Sequence, residues 1–561
     1  MFDLAQESFA KHGDSFFLEE TGGVLIVSEA VLEKRHKEIQ QKRHFLFSKR
    51  QEVLSALVAQ LQAPASFLLT CDLPNEAVLL TEKTTVTLKN IAISVELFFV
   101  LLEKTRVTVG ENFSITKHDY SYDCIREHGM MIETPFRLKR RWAVSPLALE
   151  NIERMAPNSI GCSLKDVRFY NTGLINILPK LRIHGDSEIE WFCLDASEEA
   201  HVAEVLAQEN PFCVGRVKNM DLKEYAVGVI TKMSLKDCEI EWLCLTAREE
   251  EHVSAVLAQE KPFCVGRVKV MWLGDYAVGV ITKMSLKDCG VESLSLIASR
   301  KEHVAKVLAQ ENPFCVGGVK EMVLEDYAVC VITKMSLKDC EIEMLVLDAS
   351  EKTHVAEVLK QKKPFCVGRV KNMWLKEYAV GVITKMSLKD CEIGTLWLTA
   401  SEEAHVAEVL AQEKPFCVGR VKVMWLGEYA VGVITKMSLK DCEIERLCLT
   451  ASEEAHVAKV LAQEKPFCVG RVKEMFLWGY TASVITKMTI HEDNTMERFI
   501  LDAYGKELSR ILKEGDNSID LGRIRTTGFD VPEKIKRKLR YTLVDGEGEE
   551  EEPSQRGNLL E

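Results

Sequence analysis

Residues 233–283 read MSLKDCEIEWLCLTAREEEHVSAVLAQEKPFCVGRVKVMWLGDYAVGVITK and form one copy of a repeat that dominates the chain. A His-Val pair and the cysteine of SLKDC return every 51 residues. The pentapeptide PFCVG keeps the same step, beginning at Pro211, Pro262, Pro313, Pro364, Pro415 and Pro466. Six near-copies therefore cover residues 188–488, and such self-similarity is typical of a solenoid, in which successive repeats stack side by side.

Each copy contains two segments that predict β-strands, because their apolar residues are spaced as in a strand. The first reads IxxLxL from Ile240, and the second reads VxxMxL from Val268. Between such segments, SEEAHVAEVLAQE at residues 197–209 has helical spacing and an acidic first turn, and Pro211 ends it. YAVGVITKMSL predicts a shorter helix or an irregular turn. Each copy is therefore predicted to be strand–helix–strand–helix, in units of 28 and 23 residues.

A second pattern leaves the strand register open. The segment that starts at Ile230 fits LxxLxLxxCxL, with Met233, Leu235 and Cys238 at its apolar positions. Because this pattern overlaps the one that starts at Ile240, either segment could form the inner strand.

The paired LxxLxL strands and the unit lengths resemble the leucine-rich-repeat family, particularly its cysteine-containing and ribonuclease-inhibitor-like members. The resemblance covers residues 188–545, and it departs from the family after Leu245, where the expected Asn or Cys is missing. It implies an α/β solenoid, a horseshoe or arc with a parallel inner sheet and outer helices.

The regions around the six copies differ in character. Residues 1–84 are predicted to be mainly helical, because residues 28–62 are rich in helix formers and lack Gly and Pro. The basic first half of that segment could bind a partner or a membrane surface, although a solvated helix packed on the array is favoured. Residues 85–187 predict a degenerate repeat-like α/β region, residues 489–545 a diverged capping repeat, and residues 546–561 an acidic disordered tail.

Composition narrows the class of protein. The formal net charge of -13 gives no indication of nucleic-acid binding. The longest apolar stretch, residues 91–102, is too short to span a bilayer and contains Glu96, and no leader peptide is apparent. None of the 18 cysteines belongs to a CxxC pair. We expect a soluble cytoplasmic protein that binds neither nucleic acid nor membrane.

The histidines of the His-Val pair and the cysteines of the repeat each form a column along the array. These are the residue types that most often form metal sites or disulfides. Equivalent residues are two units apart, so they should lie roughly 9–10 Å from one another in a parallel sheet. That separation is too long for a shared metal ion or a disulfide. No phosphate loop, dinucleotide fingerprint, zinc-protease motif or nucleophile elbow is present. We therefore expect no catalytic, cofactor-binding or metal-binding residues.

Positions that differ between the near-identical copies indicate where binding specificity could lie. They fall between the core leucines of the strands, and alternation places them on the opposite, exposed face. Six of the eight tryptophans occur there, and exposed aromatic side chains are common anchors of protein interfaces. The candidate binding residues are Trp191, Trp242, Trp272, Trp374, Trp397, Trp425, Phe476 and Arg446.

These observations predict a non-enzymatic recognition or scaffold protein that binds a protein ligand on the inner repeat face. The alternative is a receptor or ubiquitin-ligase adaptor subunit in which residues 1–84 form the effector part. That alternative depends on analogy with proteins that join such arrays to a helical module. The sequence gives no indication of the oligomeric state.

Overall fold

The fold is described from a computed structural model that places residues 8–42, 50–119, 123–128, 134–183, 187–286, 289–389 and 391–544. The chain divides into two compact units, Met1–Val268 and Lys269–Glu561. The predicted acidic tail lies outside the described residues. No helix in the described part of the chain is both long and apolar enough to cross a membrane.

The first unit begins with a four-stranded antiparallel sheet, not with a helical bundle. Its strands are Ala10–His12, Ser15–Glu20, Gly23–Ser28 and Val78–Thr81, in that order across the sheet. The helices Glu29–Lys42 and Arg50–Val58 follow the third strand. Apolar side chains from the sheet and both helices share one core: Phe16, Leu18, Leu25, Val27, Leu32, Val53, Leu54 and Leu57.

The prediction that residues 1–84 are mainly helical is therefore wrong. Two helices do lie within residues 28–62, but the preceding residues form a β-hairpin. FFL at residues 16–18 and VLIV at residues 24–27 favour strands. The pairing of Glu20 with Gly23 leaves only Thr21 and Gly22 in the turn. Two β-favouring runs on either side of a short glycine-containing turn are a hairpin signal.

Residues 66–183 contribute strands to other sheets and also contain two small, mostly parallel sheets of their own. One contains Ser66–Leu69, Thr85–Leu88 and Arg106–Val109. The helices Val95–Lys104 and Pro146–Arg154 are capped at their N-termini by the hydroxyl groups of Ser94 and Ser145. The other sheet has the antiparallel edge strand Ile125–Glu127 and the parallel strands Ile91–Ser94, Phe113–Thr116, Ile160–Cys162 and Leu181–Ile183.

Each of the two compact units contains a long run of parallel strands, one strand for each half of a repeat. The first unit contributes five strands: Phe136–Arg140, Leu164–Tyr170, Glu188–Ala196, Arg216–Glu224 and Glu239–Ala247. Eleven more begin at the boundary with the second unit: Arg267–Asp275, Ser293–Ala298, Glu321–Asp326, Glu341–Ala349, Arg369–Glu377, Glu392–Ala400, Arg420–Glu428, Glu443–Ala451, Arg471–Gly479, Arg498–Asp502 and Phe529–Asp530. The strand starts at Glu188, Arg216 and Glu239 confirm units of 28 and 23 residues. This arrangement is consistent with a solenoid.

The structure decides between the two strand registers. The segment that starts at Ile240 forms the long strand, and Ile240, Leu243 and Leu245 are all buried. The competing segment contributes only Met233–Ser234, which pairs with Phe212–Cys213 in a separate two-stranded ladder. Met233 and Leu235 are buried too, which is why both patterns looked alike in the sequence.

The strands are joined by short helical segments. After the second strand of each copy comes a 3-10 helix with the sequence YAVGVITK or a close variant: Tyr225–Lys232, Tyr276–Lys283, Tyr327–Lys334, Tyr378–Lys385, Tyr429–Lys436 and Tyr480–Lys487. After the first strand, two copies have continuous α-helices, Glu403–Leu410 and Glu454–Leu461. In the other four the helix divides into a 3-10 turn and one α-turn, the latter at Ala203–Leu206, Ser254–Leu257, Ala305–Leu308 and Ala356–Leu359.

The second unit ends in a smaller arrangement. The helices Ser509–Lys513 and Glu533–Lys536 are short. A three-stranded parallel sheet contains Thr495–Met496, Ile519–Arg525 and Leu539–Val544.

Candidate functional site

The open face of the parallel sheet in the second unit carries a row of aromatic side chains. Trp374, Trp397 and Trp425 are register partners on three neighbouring strands. Their ring centroids are 5.4 and 5.0 Å apart, and the second pair is stacked. The tryptophans are half-buried, whereas the alternating residues of the same strands, such as Met373 and Leu375, are fully buried on the core side. The strand pleat therefore puts the aromatic rings on the face that is not packed.

The row continues beyond Trp425 through a residue that the sequence comparison missed. The ring of Trp478 lies 5.5 Å from that of Trp425 and 5.6 Å from that of Phe476. Gly427 and Thr450 are on the two strands before Trp478, at the same level in the register. Gly427 has no side chain and that of Thr450 is short, which leaves space for the indole. We call Trp374, Trp397, Trp425, Phe476 and Trp478 the aromatic row.

Cys448 lies between Trp425 and Phe476 in the register and is only 1% exposed, although it is on the open face. Burial raises the pKa of its thiol to about 12. The ring contacts of Trp478 with both flanking residues close the row over this small side chain.

Two guanidinium groups border one end of the aromatic row. The guanidinium groups of Arg446 and Arg498 lie 5.6 and 5.5 Å from the Phe476 ring centroid. Arg446 Nε is also 2.7 Å from a carboxylate oxygen of Glu474. Arg446 was a candidate from the sequence, whereas Arg498 belongs to the diverged copy and was not.

The remaining three candidates do not belong to this row. Trp191 and Trp242 form a separate pair in the first unit, with ring centroids 6.1 Å apart, and Arg168 lies 5.5 Å from the Trp191 ring. Trp191 is 37% exposed. Trp272 is on the open face of the second unit, opposite Ser295 in the register. The structure thus brings together five of the eight candidates: Trp374, Trp397, Trp425, Phe476 and Arg446.

The open face of the first unit is more polar. Asp221 lies in the register between Cys193 and Cys244, and Lys223 Nζ is 3.3 Å from its carboxylate. Burial, with a contribution from Asp221, raises the pKa of Cys244 to about 12. Burial also raises the pKa of Asp195 on the same face. This mixture of charged groups and thiols is less suited to apolar docking than the aromatic row.

From the second copy onward, the histidine of the repeated His-Val pair is held by a carboxylate and a tyrosine ring. His303 is buried, its Nδ1 atom is 3.2 Å from the Asp275 carboxylate, and the Tyr276 ring lies 4.6 Å away. Asp275 has a φ of 55°, which turns the chain from the strand into the following 3-10 helix. The same carboxylate–tyrosine–histidine contact recurs in the later copies, as at His405 with Glu377. Within the described residues, no three His, Cys, Asp or Glu side chains are grouped to hold a metal ion.

Asp275→Asn tests how much this contact stabilises the second unit. The hydrogen bond from His303 is the main cause that lowers the pKa of Asp275 below its usual 3.8. The carboxylate therefore adds stability that is fully present above pH 3.8 and is lost as the pH falls through the lower, folded-state pKa. We expect a loss of roughly 1 kcal/mol at pH 6.

Urea denaturation of both proteins between pH 6 and pH 2.5 measures this difference in stability. The difference in stability between the wild type and Asp275→Asn should shrink at the acid end, because there the wild type loses the stabilisation by the Asp275 carboxylate that the variant lacks at every pH. Asp339→Asn, at an exposed position, is the control. A difference that stays constant over the whole pH range would show that ionisation of Asp275 is not involved.

Comparison with protein-family models, with curated proteins and with solved structures finds no match for this chain. The surface is therefore interpreted from its own geometry.

Proposed function

We propose that the protein is a non-enzymatic recognition or scaffold protein that binds a protein ligand on the aromatic row. The observation that carries this proposal is the contiguous set of half-buried rings on the unpacked face of a rigid sheet. Tryptophan is enriched among the residues that contribute most to protein–protein affinity. Arginine, which borders the row, is enriched in the same way.

The differences between copies support this assignment. The copies share their core residues, but the middle position of the strand varies: it is Asp221 in one copy, Val323 in another and Trp374 in a third. Changes at core positions are few and conservative, such as Phe192 in one copy and Leu243 in the next, so the surface has changed more than the scaffold. A solenoid presents such a surface over several adjacent strands, which suits an extended protein ligand.

We also propose that the repeats form a leucine-rich-repeat-like arc and that the protein is cytoplasmic. Two strand-containing units per copy with buried LxxLxL residues support a leucine-rich-repeat-like arc, with the sheet inside and the short helical segments outside. All 18 cysteines are free thiols, which supports a reducing, cytoplasmic setting.

Site-specific photocrosslinking tests the proposal and captures the ligand in the same step. A photoreactive phenylalanine derivative replaces Thr395, which is on the same strand and the same face as Trp397. The control position is Lys360, which is 69% exposed at the end of an outer helical turn. Both full-length proteins are expressed in cells of the source organism and irradiated.

We expect one discrete protein adduct from position 395, which disappears when Trp397 and Trp425 are also replaced by alanine, and none from position 360. Equal adducts from both positions, or an adduct that survives the double replacement, would remove the aromatic row as the binding surface.

A further inference from the structure

Within each of the two compact units, a row of thiols lies at the N-terminal ends of the parallel strands. It consists of two alternating sets, because the cysteine of PFCVG precedes one strand of each copy and the cysteine of SLKDC precedes the other. The first set is Cys213, Cys264, Cys315, Cys366, Cys417 and Cys468, and the second is Cys238, Cys289, Cys340, Cys391 and Cys442. We call these residues the thiol row. Neighbouring cysteines of one set precede strands that are two positions apart in the sheet. A cysteine and its neighbour from the other set precede adjacent strands.

One glycine joins a cysteine of each set. The Gly317 N–H donates to Cys315 Sγ at 3.4 Å, and the Cys340 S–H donates to the Gly317 carbonyl oxygen at 3.3 Å. The two sulfur atoms are thus held against the two polar backbone atoms of a single residue. The same arrangement recurs in Cys213 with Cys238, Cys366 with Cys391, and Cys417 with Cys442.

Burial and nearby acidic groups keep the thiols of the row protonated. Burial is the main cause that raises the pKa of Cys340, and the neighbouring Cys315 and Asp339 raise it further by repulsion. Asp441 has the same effect on Cys442. The nearby Arg369 is paired with Glu341 at 2.8 Å, so its charge is balanced. Because these pKa values are raised, the thiols are protonated at neutral pH, and a bound cation must displace their protons.

Core packing accounts for only one of the two sets. Cys340 and Cys391 are buried, as structural thiols usually are. Cys315, Cys366 and Cys417 are exposed, although each holds its sulfur in a hydrogen bond. The partners of the first two are buried, and Cys442, the partner of Cys417, is half-buried. An exposed thiol next to a buried one gives an ion from solvent a point of entry.

We propose that the thiol row binds soft monovalent d10 cations of the Cu(I) class, each ion held by one cysteine from each set. Thiolate sulfur is the ligand type that such ions select, and Cu(I) accepts two sulfur ligands in a near-linear arrangement. Zn²⁺ requires four ligands, whereas the described residues provide no group of even three. Each binding event breaks two S–H bonds, forms two S–Cu bonds and releases two protons, with no change in oxidation state. The site is separate from the aromatic row and does not depend on its function.

Anaerobic titration of the reduced full-length protein with Cu(I), against a chromophoric Cu(I) chelator, tests this proposal. The four cysteine pairs that share a glycine predict four Cu(I) ions per chain. Cys366→Ser changes an exposed residue and should retain the fold, which far-UV circular dichroism checks. It should bind three ions, and Cys366→Ser with Cys391→Ser should also bind three, because both residues serve the same ion.

Cys330→Ser is the matched control, since Cys330 is a buried thiol in an outer 3-10 helix that is not part of the row. It should retain four ions, and X-ray absorption of the loaded wild type should show two sulfur neighbours per copper. The proposal is overturned if the wild type binds no Cu(I), if Cys366→Ser still binds four ions, or if the double variant loses two.

Discussion

Gly368→Ala is expected to lower the free energy of unfolding of the second unit by about 3 kcal/mol, because two unfavourable effects act at this position. Gly368 has a φ of 70°, a conformation that side chains with a Cβ rarely adopt. An added Cβ would lie 2.6 Å from the Cys340 carbonyl oxygen and would also meet the Leu337 carbonyl oxygen. Both carbonyl oxygens belong to the backbone of the neighbouring half-repeat, so they cannot move aside as a flexible side chain would.

The chain provides a matched control for this prediction. Gly318 follows the equivalent glycine of the preceding copy, and an added Cβ there would have no atom within 4 Å. Other copies carry arginine at this position, as at Arg369. Gly318→Ala should therefore leave stability almost unchanged. Urea denaturation followed by tryptophan fluorescence compares the two variants, and equal midpoints would contradict the close backbone approach on which the unit stacking depends.

Trp397→Ala should weaken binding of the ligand captured at position 395 by about 2 kcal/mol, or roughly 30-fold in affinity. Trp397 is the central ring of the aromatic row, in contact with Trp374 on one side and Trp425 on the other. Its removal takes away its own contact area and also the support of both neighbours. Isothermal titration calorimetry with the purified ligand measures the change.

Two further variants make this measurement specific. Trp397→Phe retains an aromatic ring and should lose less affinity than the alanine variant. Trp142→Ala removes a tryptophan that is 75% exposed in the first unit, and it should bind as the wild type does. If Trp142→Ala and Trp397→Ala lose affinity equally, tryptophan exposure in general, and not the row, determines binding.

The repeat architecture could be predicted because the periodicity of the sequence and the periodicity of the fold are the same. Strand starts at Glu188, Arg216 and Glu239 follow directly from the recurring apolar pattern. The strand register was harder to predict, because Met233 in the short ladder and Leu235 after it are buried just as Leu243 and Leu245 in the long strand are. Apolar spacing reports burial, and it does not by itself distinguish a strand from a buried turn.

The N-terminal error and the missed residues have different physical origins. The hairpin at Ser15–Glu20 and Gly23–Ser28 was overlooked because the helix-forming segment that follows it dominated the interpretation of the region. Trp478 was missed because the comparison of copies stopped two residues earlier, at Phe476. Residues two apart in a strand share a face, so alternation alone could have included it.

The ring stacking and the thiol pairs could be identified only from the structure. The contact between Trp425 and Trp478 spans more than one strand and depends on the small residues Gly427 and Thr450 between them. Within either cysteine column, neighbouring residues are too far apart to share an ion. The meeting of Cys315 and Cys340 at one glycine joins the two columns and is visible only in the structure.

The central claim is that a protein ligand binds at the aromatic row. Hydroxyl-radical footprinting of the tryptophans tests this claim most directly. The full-length protein is oxidised once in buffer and once in extract of the source cells, and mass spectrometry quantifies the oxidation of each tryptophan. Trp142 and Tyr504, which are 75% and 74% exposed, normalise the radical dose. We predict that oxidation of Trp374, Trp397 and Trp425 falls in the extract relative to these two residues. Unchanged oxidation of those three tryptophans, or protection of Trp142 to the same degree, would contradict the account.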